Sequence, residues 1–313
     1  MTVHTPRYQL RAILLLAVIL FLWSGCATSS GADQSANGPD GAETSIDPNA
    51  PDASARPPAS WVDKRVAEAE SRLSEDRAGR ILLKSIKAHG GLKTWYRNGP
   101  LRFRYDYVPQ GDGTERDTLQ TVDTWRALAR HSLPEDASKQ YGWNGDQAWK
   151  KPSSWKPGYD VRFWALTPYY FVGMPFVLAD PGVNLTHEGR ADMMGHDCHV
   201  IRATFGEVGI SPDDFYVLYI DAKSGHLHAL RYIVSYPKYF PEGGHSPEKL
   251  MTYDGRRTVD GITFADSYRF FMWDPKATTD AKVVTRADLS NVSFEADVLN
   301  RYFDIPDGAK VVE

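Results

Sequence analysis

Apolar residues follow four successive patterns along the chain. Ala12–Trp23 is an unbroken apolar run. From Ala27 to about Ser60, Ala, Ser, Gly, Asp and Pro dominate and large apolar side chains are almost absent. Next, Val62, Val66, Ala69 and Leu73, then Ala78, Ile81, Leu82, Ser85, Ile86 and His89, recur at helical spacing. This predicts two helices, or one broken near Ser74, with Ser60 as N-cap and Gly90-Gly91 as the stop. After Pro100 the period falls to two. Leu101–Tyr107 alternates strictly, and similar runs lie at Thr121–Ala129, Cys198–Phe205, Phe215–Ile220, His226–Ser235, Met251–Arg257, Thr263–Phe271 and Lys282–Leu289. Turn residues such as Asn144-Gly145-Asp146, Lys223-Ser224-Gly225 and Asp260-Gly261 separate them, so the body is expected to be an antiparallel meander.

One segment departs from strand patterning. Thr167–Leu178 is apolar nearly all round, with Pro168 where a helix tolerates it and Pro175 where a kink or an end is expected. A helix without a polar face has to be buried. Two roles fit: completing the core between strands, or covering an apolar cavity as a lid.

The first pattern sets the location. Arg7 and Arg11 precede the apolar run and no acid occurs before Asp33, which is the layout of an export signal over residues 1–25. A run of about a dozen residues falls short of the roughly 20 that a membrane-crossing helix needs. Leu22-Trp23-Ser24-Gly25-Cys26 resembles the lipobox of bacterial lipoprotein precursors, with small residues before a cysteine that is acylated. Trp23 stands where that pattern usually has Leu. The resemblance implies a lipid anchor at Cys26, hence a membrane-bound protein of the bacterial envelope. Ala27 in place of Asp implies, by likeness to the enteric sorting rule, the outer membrane facing the periplasm. Residues 26–60 are then expected to form the lipidated cysteine and a disordered tether, spanning roughly 30 Å, with one domain over residues 61–313.

With Cys26 acylated, Cys198 has no partner for a disulfide, and stability rests on an apolar core. Removal of residues 1–25 leaves 34 basic against 40 acidic residues, a balance that argues against nucleic acid as a partner.

AHGGLKTW (residues 88–95), and then ADPGVNLTHEG, MGHDCHVIRATFGE, DDFYVLYIDAKSGHLHALRY and YDGRRTVDGITFADSYRFF in that order, resemble an uncharacterised group of bacterial lipoproteins. That group has a fold similar to the LolA/LolB lipoprotein carriers. The resemblance covers most of residues 75–275. It implies an α+β, mostly β domain: a curved antiparallel half-barrel with helices across its concave side, a shape that LolA-like proteins use to hold acyl chains. It implies no catalytic residue and no cofactor.

The residues themselves offer little chemistry. Aromatic side chains make up 12% of the chain. Trp164, Tyr169, Tyr170, Phe171, Met174, Phe176, Tyr216 and Phe270 are the candidates for lining an apolar pocket, although each ring serves a core equally well. His226 and His228, two apart on one strand, are candidates with His199 or Cys198 for metal ligation, or belong to a solvated hairpin; no metal is assigned. Asp213-Asp214 and Asp106 read as turn-capping acids. No G-x-S-x-G, H-E-x-x-H or phosphate-binding glycine loop is present. Three readings follow: a non-enzymatic binder of a lipid or other apolar ligand; an interaction lipoprotein that docks a protein partner, not identified by the sequence, and has no ligand cavity; or a metal-dependent hydrolase, which requires the histidines to converge with a carboxylate.

Overall fold

The computed structural model describes residues 47–206, 210–211, 213–276 and 281–312. Residues 1–25, read above as an export signal, and Cys26 lie outside them. Three helices come first: α1 (Ala59–Ser74), α2 (Arg77–Ala88) and α3 (Leu92–Asn98). The break near Ser74 is real, and Asp76 starts α2 by accepting a hydrogen bond from the Gly79 amide at 2.7 Å. Gly79 is needed there, because a Cβ would lie 2.1 Å from the Leu73 carbonyl oxygen. Ser60 is not the cap of α1. The helix begins one residue earlier, after Pro58, without a side-chain cap. α3, which begins within the AHGGLKTW motif and runs three residues past it, is too short for helical periodicity to reveal, and it buries Leu92, Trp95 and Tyr96.

The strands are β1 (Leu101–Pro109), β2 (Arg116–Asp123), β3 (Leu128–Leu133), β4 (Asp136–Trp143), β5 (Ala148–Lys151), β6 (Asn184–Met193), β7 (His196–Thr204) and β8 (Phe215–Asp221). They continue as β9 (Leu227–Tyr232), β10 (Lys249–Asp254), β11 (Arg257–Val259), β12 (Ile262–Phe264), β13 (Ser267–Met272), β14 (Val283–Phe294) and β15 (Lys310–Val312). Among the described residues, thirteen of them form one open, curved sheet in the order β15-β5-β4-β3-β2-β1-β14-β13-β10-β9-β8-β7-β6; β11 and β12 form a separate hairpin. All pairings are antiparallel. β1 and β14 join two meanders that run in opposite directions, with Leu101 opposite Phe294 at the seam.

Alternation sorts the two faces. Leu101, Phe103 and Tyr105 of β1, Leu218 and Ile220 of β8, Met251 of β10 and Tyr268 and Phe270 of β13 join the core that α1–α3 cover. A second, smaller apolar cluster on the opposite face holds Cys198, Val217, Ala229, Leu250 and Phe271. The half-barrel with helices over its concave side is therefore the architecture the chain adopts.

β4, β5, β6 and β15 lie outside the alternating runs read from the sequence, Thr263–Phe271 is divided between β12 and β13 in separate sheets, and two further boundaries differ from expectation. The run Thr121–Ala129 is not one strand. Asp123 accepts hydrogen bonds from the Trp125 and Arg126 amides, both at 3.0 Å, and turns the chain between β2 and β3. Part of the expected tether also belongs to the folded body. Ala55 is fully buried and its amide bonds Val298 O at 2.8 Å, while Asn300 Nδ2 donates to Pro48 O and Ala50 O, each at 2.8 Å. Residues Ile46–Glu313 form one compact unit with its own core.

Candidate functional site

Between β5 and β6 the chain crosses the concave side as α4 (Val161–Trp164), α5 (Thr167–Val172) and a 3-10 turn (Phe176–Ala179). Asp160 caps α4 by accepting from the Phe163 amide at 2.8 Å. Pro168 sits at the start of α5, and a cis Met174–Pro175 bond separates α5 from the 3-10 turn. The all-apolar run is thus buried against the sheet, with Pro175 ending the helix as its position implied.

This segment is pinned along its length. His131 Nε2 donates to Ala165 O at 2.8 Å, and the Tyr253 hydroxyl donates to Phe171 O at 3.2 Å. Tyr169 donates to Thr124 O at 3.3 Å. At the far end Arg72 of α1 donates to Ala179 O at 2.8 Å, and Arg65 pairs with the Asp180 carboxylate at 2.6 Å. Because His131 Nε2 faces a carbonyl oxygen, it carries the hydrogen. The ring is fully buried, and desolvation holds its pKa near 4.

Between the segment and the β7–β9 end of the sheet lies a cavity of about 190 Å³. Phe163, Leu166, Val177, Leu178, Val183, Phe205, Ile233 and Val234 make most of its wall. The polar part is small: Arg162, Tyr170 and Tyr216, with Ser211, Asp180 and Asp214. Both acids are engaged. Asp180 accepts from Arg65, and Asp214 accepts from the Ser235 amide at 2.5 Å and hydroxyl at 2.7 Å. Burial still raises both carboxyl pKa values, with the partners pulling the other way. Asp180 borders the cavity, and about half of its side-chain surface is exposed.

Of the eight residues singled out from sequence, Tyr170 and Tyr216 line this cavity. Tyr169, Phe171, Phe176 and Phe270 are core residues, each at most 6% exposed. Met174 borders a small crevice near His89, and Trp164 packs beside Tyr141, where the Arg116 guanidinium lies 4.2 Å from its ring centroid. Sequence reading missed Arg162, the only charged residue between Asp160 and Asp180. A lone arginine in so apolar a stretch was the signal to notice.

The histidines do not converge. A bulge between Tyr219 and Ile220 puts His226 and His228 in different surroundings: His226 packs on His89 at 5.0 Å, while His228 stacks on His196 at 3.9 Å. Among the described residues, no group of three or more His, Cys, Asp or Glu side chains is arranged to hold a metal ion. The Cys198 thiol is fully buried, and desolvation together with Asp221, Asp197 and Asp192 pushes its pKa up to about 12. No described helix is long and apolar enough to cross a membrane.

The chain matches no family model and no curated protein. In structure it is similar to a DUF1329 family protein from Desulfovibrio piger, with 12% identity over 73% of this chain and 98% of that one, at a TM-score of 0.48. It is also similar to a LolA superfamily protein from Nitrosomonas europaea, with 12% identity over 74% of this chain and 96% of that one, at a TM-score of 0.45. These are likenesses of shape, and the chemistry has to be read from this chain's own residues.

Proposed function

We propose that this protein is a non-enzymatic binder of an acyl chain or similar apolar ligand in the bacterial cell envelope, anchored through a lipid on Cys26. The cavity beside the α4–α5 segment carries this reading, since a mostly apolar recess that opens to solvent and holds a few polar groups is the form small-molecule sites take. At about 190 Å³ it exceeds the roughly 150 Å³ apolar cavity that takes up benzene. It is smaller than the roughly 300 Å³ at which drug-sized pockets begin. Part of a chain is enclosed and the rest continues through the mouth. Each methylene transferred from water contributes about 0.8 kcal/mol, so a partly enclosed chain binds without an elaborate set of polar contacts. The alternative, a docking lipoprotein whose sheet is filled by its own side chains, accounts for the centre of the concave face but not for the cavity.

Native mass spectrometry with lipid extraction, on residues 46–313 recovered from a bacterial periplasm, tests the reading. Near-stoichiometric fatty acid or phospholipid is the expected result. A ligand-free mass that stays unchanged after incubation with lipids contradicts it. The anchor is tested separately by incorporation of labelled palmitate into the full chain, which Cys26→Ser is expected to abolish.

A further inference from the structure

The polar residues of the cavity are unevenly satisfied. Among the described residues, neither the Arg162 guanidinium nor the Tyr170 and Tyr216 hydroxyls have a hydrogen-bond partner, and no carboxylate pairs with Arg162. Its one contact of note is the Trp143 ring, 3.5 Å from the guanidinium carbon to the centroid, which orients the group without neutralising it. Ser211 Oγ is buried without a partner in the same wall. The two acids there are already held, Asp180 by Arg65 and Asp214 by Ser235. What remains is one guanidinium and three hydroxyls with unused hydrogen-bonding capacity in the wall of an apolar space. Asp160 acts on the guanidinium only through space and is itself paired with Lys238 at 2.9 Å; a partly buried guanidinium without a directly bonded anion is a costly arrangement, and an oxygen-rich anion relieves it.

Resting on the binding function proposed above, we infer that the ligand is an acyl chain with an anionic oxygen head, a carboxylate or a phosphate monoester. Arg162 takes the head, helped by the Tyr170 and Tyr216 hydroxyls, while the tail enters between Val177, Val183 and Val234. Trp143 keeps the guanidinium extended over the mouth. Arg162 is a specificity determinant here, because the apolar wall alone favours any chain equally.

The test is calorimetric titration of residues 46–313 with dodecanoate, dodecyl phosphate and dodecanol, matched in chain length. The intact protein is expected to bind at least one of the anions roughly tenfold or more tighter than the alcohol, as a charge-assisted hydrogen bond provides. Which anion binds tighter identifies the head. Arg162→Gln is expected to erase that preference while alcohol affinity stays within about twofold, and Tyr170→Phe to reduce it partly. Equal affinity for anion and alcohol in the intact protein overturns the inference and leaves the apolar-binding function standing. Failure of all three ligands to bind overturns both. Should Arg162→Gln fold poorly by circular dichroism, Arg162→Lys, which keeps the charge but loses the planar fork, is expected to retain preference for the anion.

Discussion

The Trp95 indole and the Phe176 ring stack face to face, with centroids 4.5 Å apart and planes 5° from parallel. Trp95 belongs to α3 and Phe176 to the 3-10 turn, so the contact joins the N-terminal helices to the segment crossing the sheet. The two rings fill the middle of the concave face, and the cavity is displaced toward β7–β9. Trp95→Ala is therefore expected to cost about 3–5 kcal/mol in urea unfolding, as large buried aromatics do. The folded fraction is expected to bind ligand almost as before. A loss of ligand affinity with stability unchanged would place the site at the stack instead.

Filling the cavity has the opposite signature. Val183→Phe and Val234→Phe put extra ring atoms into space that the wall residues leave open. Thermal unfolding is expected to stay within a few degrees of the parent, while ligand affinity falls roughly tenfold or more, the loss of about two buried methylenes or greater. A drop in melting temperature comparable to that of a core overpacking mutant would show that the space is not available.

Much of the fold was legible in the sequence because its causes are local. Period-two runs and turn glycines placed β1, β7–β10, β13 and β14, and Pro168 and Pro175 placed the crossing segment, whereas β4, β5, β6 and β15 carry no comparable alternation. What was missed depends on contacts distant in sequence. Asp123 turns the chain inside an alternating run because its fully buried carboxylate is also held by Arg126. α3 is held by tertiary packing of Trp95 and Tyr96. In the site, Tyr170 and Tyr216 were visible as aromatics, but the separation of Tyr170 from its core neighbours Tyr169 and Phe171 depends on which face α5 turns to the sheet, which an all-apolar run does not encode.

The segment preceding α1 gives a stability prediction. Asn300 ties Pro48 and Ala50 to a second 3-10 turn (Asn300–Phe303), and Trp125 Nε1 donates to Ala55 O at 3.0 Å. A chain beginning at Ser60 is expected to unfold at lower urea than one beginning at Ile46. Asn300→Ala is expected to cost about 1–3 kcal/mol, because Pro48 O and Ala50 O lose this donor and the Arg126 guanidinium loses Asn300 Oδ1 as its acceptor. Equal midpoints for the two chain lengths would return residues 47–58 to the tether.

Acid is expected to destabilise the domain through its buried histidines. Burial lowers the pKa of both His89 and His131 from the usual 6.5 to about 4. Below pH 6.5 the unfolded chain takes up protons that the folded chain refuses. The stability these groups hold above pH 6.5 therefore falls as pH drops toward 4, by about 2 kcal/mol per histidine at pH 5. His199, His226 and His228 are lowered too and act in the same direction. Urea unfolding at pH 7 and pH 5 measures the drop. His89→Gln is expected to shrink it by one histidine's share, and an unchanged drop in that variant would remove His89 from the account.

Where the chain enters is the central claim, and photolabelling addresses it most directly. A fatty acid with a diazirine near its methyl end, irradiated with residues 46–313 and mapped by peptide mass spectrometry, is expected to label the peptides holding Val177–Val183 and Ile233–Val234. Competition by unlabelled fatty acid is expected to remove the label. Labelling confined to the opposite face, at Met272 and Trp273, or spread without competition, would contradict a binding cavity beneath the α4–α5 segment.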